Sequence, residues 1–378
     1  TPATDPDLAA RRWPLLATAL FGVAFGANMF APMLLVYARE TGLSEAVLSG
    51  TFSVYAAGIV PGVLFGGPLG DRFGRPAVVF PAALVSLLAT LVLLSGGSAP
   101  ALLIARMMAG LASGLAFSAG SAWLLALSAR QAEGVGGVRN NVALTAGFGS
   151  GPLVSGFLSE LGVWPLFVPY LPHLVLMSTG IVLLLFVPRR DAAARGRPTS
   201  VAPWDVLRPQ IPWRIWAVAP FSFGSAVVAF TVYPARGGGL TPWLAGTITA
   251  LVLFTAALSQ GPFRRLGARD PALLRLLGLL ASVATFVLGI VYIGVPHLGV
   301  LLPTCLLAGV AYGGNLLYGF FLLGKEPTGT QVAQLYVAAY AGFAFPAMIV
   351  SASTFVPMSA VLAGFAALAL GVWAATRR

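Results

Sequence analysis

A chain of 378 residues that is 58% hydrophobic and 9% charged, with mean hydropathy +0.90, has too little polar surface for a soluble fold. Its net charge of +11 would suit nucleic acid, but the basic residues sit at the ends of apolar runs and form no patch interleaved with aromatics. The lone Cys305 lies in an apolar run, and no Walker, metal-ligand or catalytic-triad pattern appears, so a disulfide framework, a metal, a cofactor, ATP drive and enzymatic chemistry are all disfavoured.

Residues 1–10 are polar and carry no signal-peptide cleavage pattern, and the chain opens without an initiator Met, consistent with a trimmed start. Twelve apolar runs then follow, at residues 13–38, 46–65, 77–94, 99–128, 141–159, 165–187, 215–233, 242–260, 273–293, 298–323, 330–351 and 358–375. Each can cross a bilayer as a helix, since about twenty residues rising ~1.5 Å apiece cover ~30 Å. With both termini cytoplasmic, nineteen of the 22 Lys and Arg residues fall on inner segments. Arg39 and Arg236 fall outside and Arg106 lies inside a span, which is the asymmetry that the positive-inside rule describes. The expectation is an all-α, multi-pass protein of the inner (plasma) membrane.

One long hydrophilic connection, residues 189–214, divides the chain into a tail at 1–12, a six-helix bundle at 13–188, the linker, and a second bundle at 215–378. The halves repeat. Ala109-Gly110-Leu111-Ala112-Ser113-Gly114 matches Ala308-Gly309-Val310-Ala311-Tyr312-Gly313, and Ala146-Gly147-Phe148 with Pro152 matches Ala341-Gly342-Phe343 with Pro346. The segment at 21–26 echoes 221–224, and Gly261 to Gly267 is a worn copy of a loop in the first half.

That loop, at 66–76, reads as a tight glycine-rich turn between the second and third spans. Its Gly67, Asp71, Arg72, Gly74 and Arg75 resemble the G-x-x-x-D-R-x-G-R signature of the major facilitator superfamily. The resemblance implies twelve transmembrane helices in two pseudo-symmetric six-helix bundles, with these five residues gating the cytoplasmic face. It places Asp71 against the start of the eleventh helix, near residues 328–331, where a helix dipole favours an anion.

Two further stretches resemble the same family. Gly147, Gly151, Pro152 and Gly156 of the fifth helix are similar to the G-x-x-x-G-P-x-x-G-G motif of its antiporter branches, with Ser155 for the first glycine of the closing pair. Gly147, Gly151 and Ser155 recur at four-residue intervals, a seam on which another backbone packs. Arg106, Gly110 and Gly114 resemble an R-x-x-x-G-x-x-x-G signature whose arginine faces the central cavity. The alternative for Arg106 is to snorkel to the near interface, and Asn28 is close enough in depth to share its hydrogen bonds.

No acidic residue lies in the middle of a span, so the fixed charge of the cavity is that of Arg106, which favours neutral or anionic cargo. The other polar side chains at depth are His173, Tyr312, Asn315, Tyr318, Gln334, Tyr336 and Tyr340. Helices one, four, seven, ten and eleven would line the cavity of such a carrier, which nominates Asn28, Arg106, Tyr312, Asn315, Tyr318 and Tyr340 as substrate contacts. Taken alone, Tyr312, Asn315, Tyr318 and Tyr340 are each better accounted for as an interhelical hydrogen bond than as a ligand, whereas the glycine pair beside Arg106 favours its functional reading.

The expected function is secondary active export of a small amphipathic, neutral or anionic compound by alternating access, with protons as coupling ion, lipids as surroundings, and a monomer as the working unit. An importer or uniporter of a small metabolite is the alternative, and a non-transporting receptor or scaffold the alternative of another class.

Overall fold

The computed structural model describes residues 11–188, 208–238 and 240–377, and every regular element among them is helical. The linker charges Arg189, Arg190, Asp191, Arg195, Arg197 and Asp205, with Asp5, Asp7 and Arg378, lie outside the described residues. Among the described residues eleven helices are long and apolar enough to cross a membrane: α1 (Trp13–Thr41), α2 (Glu45–Phe73), α3 (Arg75–Leu94), α4 (Ala99–Ser128), α5 (Val135–Glu160), α7 (Trp213–Gly237), α8 (Pro242–Arg269), α9 (Pro271–Gly294), α10 (Leu298–Leu323), α11 (Gly329–Ala352) and α12 (Met358–Ala375). A shorter apolar helix, α6 (Val168–Leu184), completes the expected twelve.

Elementary signals set the helix ends. The side chains of Ser44, Thr241 and Asp270 accept from backbone N–H groups in the first turns of α2, α8 and α9, and Thr328 with Gln331 forms a capping box on α11. The largest departure from the sequence reading is in α2. It runs helical through residues 66–73, despite Pro61 and Pro68, and the turn to α3 shrinks to Gly74, whose φ of 92° only glycine adopts without strain. In α5 and α8 the helices also begin earlier or end later than their apolar runs.

α1, α2, α3, α4, α5 and α6 pack among themselves, as do α7 to α12, and α5 meets α8 while α2 and α4 meet α11 across the divide. The sequence repeat has a structural meaning. Gly110 and Gly114 of α4 sit on the backbone carbonyls of Tyr55 and Ile59 in α2, where a Cβ would overlap them. Of their counterparts in α10, Gly309 sits in the same way on the Val252 carbonyl of α8, while Gly313 is crowded first by the Ser259 and Gln260 side chains and then by the Ala256 carbonyl. Likewise Gly147 of α5 abuts the carbonyl of Phe21 in α1, and Gly342 of α11 that of Pro220 in α7. One turn further the pattern reverses: Gly151 presses on the carbonyl of Phe25, whereas in the second half Gly224 is the small partner and Phe345 fills the space.

Several spans are not continuous α-helix. α1 has a turn at Met29, α4 and α7 contain π segments at Ala116–Gly120 and Val228–Val232, and α11 is interrupted between Ala341 and Ala344. Such irregularities leave backbone groups to be satisfied by neighbours, which matters in a bilayer core without water.

Candidate functional site

Nineteen basic residues crowd one face by sequence, and the described ones gather where α1, α3, α5, α7, α9 and α11 begin. On this basic face the halves are latched. Oδ1 of Asp71, in the last turn of α2, accepts from the Gly329 N–H at 2.8 Å, and Oδ2 accepts from the Thr330 N–H at 2.9 Å and its hydroxyl at 3.1 Å. The carboxylate therefore occupies the N-terminus of α11, where three donors and the helix dipole meet it. Gly67 lets this happen, because its backbone lies directly on that of Gly329 and a Cβ on either would overlap the other's carbonyl. Arg75 is 2% exposed and donates to the Ala122 carbonyl at 2.8 Å and, across the divide, to that of Pro327 at 3.3 Å. Arg72 is exposed, with its guanidinium 5.1 Å from the Phe73 ring. The segment before α7 also docks on α11: Gln334 accepts from the Gln210 N–H at 2.9 Å and donates to the Arg208 carbonyl at 2.6 Å.

A deeper, uncharged layer lies about 10 Å further in, some seven residues along each helix. The Asn140 amide of α5 donates to the Tyr336 hydroxyl of α11 at 2.9 Å, and that hydroxyl pairs with Ser121 of α4 at 3.1 Å. Beside it, the Asn141 amide donates to Gln260 of α8 at 3.1 Å. All five side chains are buried. Tyr336→Phe leaves the buried Asn140 amide without its acceptor, a cost of about 1–3 kcal/mol carried only by the closed arrangement. The expected result, in a Cys305→Ser background, is faster maleimide alkylation of Val332→Cys from the basic face. An unchanged labelling rate would assign Tyr336 to packing alone.

Above this layer the halves part. On α2, Val60 continues the stripe of Gly67 and Asp71 yet is 51% exposed; on α11, half-buried Tyr340 and 46% exposed Phe343 continue the stripe of Gly329 and Tyr336. The α5–α8 seam persists across the molecule, from Asn141 and Gln260 to Gly156 on the Pro242 carbonyl and Glu160 accepting from the Trp243 N–H at 3.3 Å, and the outer half of α1 also meets α8.

The nominated contacts divide. Tyr312 and Tyr340 gather on Phe223 of α7, with ring centroids 5.1 and 4.9 Å from it, and Phe343 joins at 5.6 Å. Asn315 and Tyr318 instead turn to α9: the Asn315 amide donates to the Gly278 carbonyl at 3.3 Å and to Ser282 at 3.2 Å, and the Tyr318 ring lies 6.0 Å from the Arg275 guanidinium. Asn28 does not share its bonds with Arg106. It donates at 3.1 Å to the Phe148 carbonyl, the very group that Pro152, having no N–H, leaves unpaired in α5. Ser155, which departs from the antiporter motif, donates to the Met29 carbonyl at the irregularity of α1, at 2.7 Å.

Arg106 does not snorkel. It is 3% exposed, donates to the Ala27 carbonyl at 3.2 Å, and stacks under Tyr55 at 4.2 Å and Phe30 at 4.7 Å. Its Nε has no partner. His173, buried and stacked on Phe25, pairs with Thr90 at 2.7 Å inside the first bundle, away from the divide. Sequence reasoning missed Phe223 and Phe343, whose apolar character gives no contrast in an apolar chain, and Tyr55, which lies on α2, outside the helices nominated to line the cavity.

Two membrane bundles that meet on one face and part on the other are the framework of an alternating-access carrier. The chain belongs to the Major Facilitator Superfamily, which it matches over residues 16–324. It is similar to the multidrug resistance protein MdtL of Klebsiella pneumoniae subsp. pneumoniae, 36% identical over 89 residues, which are 24% of this chain and 23% of that protein. It is also similar to the bicyclomycin resistance protein homolog of Haemophilus influenzae, 36% identical over 69 residues, 18% of this chain and 17% of that one. The matches thus span about a quarter or less of the length of these relatives. Among solved structures, the human organic anion transporter MFSD10 (TETRAN) superposes with a TM-score of 0.74 at 19% identity, over 96% of this chain and 98% of that one, a likeness of fold. The chain is thus a multi-pass membrane protein of that superfamily.

Proposed function

We propose that this transporter exports a small amphipathic, neutral or anionic organic compound across the inner membrane, exchanging it for protons, with the basic face and both termini cytoplasmic and a monomer as the working unit. The observation that carries the reading is the pairing of the closed basic face with parted helices above it. That arrangement is an outward-facing state, held by Asp71, the Tyr336 layer and the α5–α8 seam. The outward direction draws support from the α5 motif and from the partial matches to drug-resistance proteins. The preference for neutral or anionic cargo draws support from Arg106, a buried cation whose described partners are a carbonyl and two rings.

The test is transport in proteoliposomes. Export coupled to protons predicts that an imposed pH gradient drives labelled compound against the direction of proton movement, and that Arg106→Ala reduces anion transport by roughly tenfold while the melting temperature stays within a few degrees. Co-movement of compound and protons would replace export with the importer reading. Downhill exchange indifferent to the gradient would leave a uniporter.

A further inference from the structure

The outward-opening space between the halves has two chemically distinct walls. On the second-half side stands an aromatic group centred on Phe223, which is 3% exposed and itself a support rather than a surface. Tyr312 stacks on it with planes 29° apart, while Tyr340 and Phe343 meet it edge-on, at 73° and 80°. Phe223 is therefore the fixed point that orients three rings, and those of Tyr340 and Phe343 face the opening, being half-buried and 46% exposed. Phe343 lies in the helix break between Ala341 and Ala344, and its ring packs on Tyr340 at 5.1 Å. The Tyr336 hydroxyl is consumed by Asn140 and Ser121, whereas those of Tyr312 and Tyr340 carry no protein hydrogen bond among the described residues.

On the first-half side, the half-buried Tyr55 ring lies over Arg106, 4.2 Å from its guanidinium. Tyr55 and Tyr340 lie at matching depth on the facing helices α2 and α11, about twelve and eleven residues from the Gly67–Gly329 contact. So a cation with an unpartnered Nε, enclosed by the Tyr55 and Phe30 rings, stands on one side of the divide, and on the other stands a group of aromatic faces with two phenol hydroxyls that bond no described protein group. Among the described residues the spans hold no carboxylate near this point to neutralise it or to attract a cationic cargo. Ring faces select a flat π-system, and phenol donors and a guanidinium select an acceptor of negative charge.

Resting on the transporter reading above, we infer that the cargo is a compact aromatic anion, a one- or two-ring arene carrying a carboxylate or similar acidic group, with its ring against Tyr340 and Phe343 and its charge directed to the Tyr312 and Tyr340 hydroxyls and Arg106. Neither alone suffices: an apolar drug would ignore the donors, and an aliphatic acid would ignore the rings.

The test uses the full chain in lipid nanodiscs and four probes of matched size: 1-naphthoate, 1-naphthamide, the fully saturated decahydronaphthoate, and (1-naphthylmethyl)trimethylammonium. The expected calorimetric order places naphthoate about tenfold or more ahead of the amide, since an ionised acceptor binds its donors more strongly than a neutral one. It places naphthoate about three- to tenfold ahead of the saturated acid, as an aromatic contact beyond simple burial requires. Phe343→Leu, at a position open enough to leave folding intact, is expected to erase the advantage over the saturated acid and to leave the advantage over the amide. Arg106→Gln is expected to do the reverse. Amide or ammonium binding as tight as naphthoate, no loss in Phe343→Leu, or no naphthoate binding by a protein that still exchanges between its two openings would overturn the aromatic-anion assignment. A protein that never exchanges would instead remove the alternating-access reading on which it rests.

Discussion

Asp71→Asn is expected to open the basic face. In the latched arrangement both carboxylate oxygens accept from the first turn of α11, at 2.8, 2.9 and 3.1 Å. The asparagine keeps the shape but turns one oxygen into an NH2 group facing N–H donors, and it removes the charge that the helix terminus stabilises. Loss of charge-assisted bonds and of the dipole interaction amounts to about 2–3 kcal/mol for a half-exposed group. Because the bonds exist only when the halves are closed on this side, the whole effect appears as a shift of conformers, of the order of a hundredfold, with folding little changed. Spin labels at the exposed positions Glu133 and Lys325 would read it as a longer distance population. Gly67→Leu reaches the same end sterically, since the side chain would occupy the volume of the Gly329 backbone. If both variants keep the wild-type distance distribution, the latch contributes nothing to the equilibrium and closure belongs to the deeper Tyr336 layer.

What the sequence could convey about this molecule follows from which features leave a contrast. Runs of twenty apolar residues broken by charge are visible, and so are glycines at four-residue spacing, which is why the spans and the shared seams of Gly110, Gly114, Gly147 and Gly151 could be read directly. The stretch from Gly66 to Phe73 misled because its glycines, proline and charges have the composition of a turn, while in a membrane bundle those glycines are the contact surface of a continuing helix. The π segments of α4 and α7 carry no composition signal at all. Polarity at depth marked Asn28, Asn315 and Tyr340 alike. Only packing separates them: Asn28 repairs a carbonyl that Pro152 orphans, Asn315 ties α10 to α9, and Tyr340 lies on the divide. Phe223 was invisible among 24 phenylalanines, since its importance lies in which rings surround it.

Gly151→Leu, in contrast to Gly67→Leu, is expected to damage folding itself. Gly151 lies inside one bundle, with its α-carbon against the Phe25 carbonyl of α1, so that an added Cβ would overlap that oxygen and sit 3.0 Å from the Met29 N–H. Both neighbours are backbone and neither can swing aside. The two helices must separate, and with them go the bonds that the close approach permits, from Ser155 to the Met29 carbonyl at 2.7 Å and from Asn28 to that of Phe148 at 3.1 Å. Both carbonyls would then be stranded in a setting without water, at a cost of about 1–3 kcal/mol each on top of about 1–3 kcal/mol of overpacking. A loss of several kcal/mol is a large part of the stability of any domain. The variant should therefore show a melting temperature lower by ten degrees or more, or no monodisperse protein at all. The matched control is Gly364→Leu on α12, where an added Cβ meets nothing within 4 Å and melting should stay at the wild-type value. Gly151→Ala separates the two costs, since a single methyl already forces the helices apart without filling the groove. If Gly151→Ala and Gly151→Leu both melt with the Gly364→Leu control, α1 and α5 are not held at backbone contact, and the reading of Gly147, Gly151 and Ser155 as one seam fails with them.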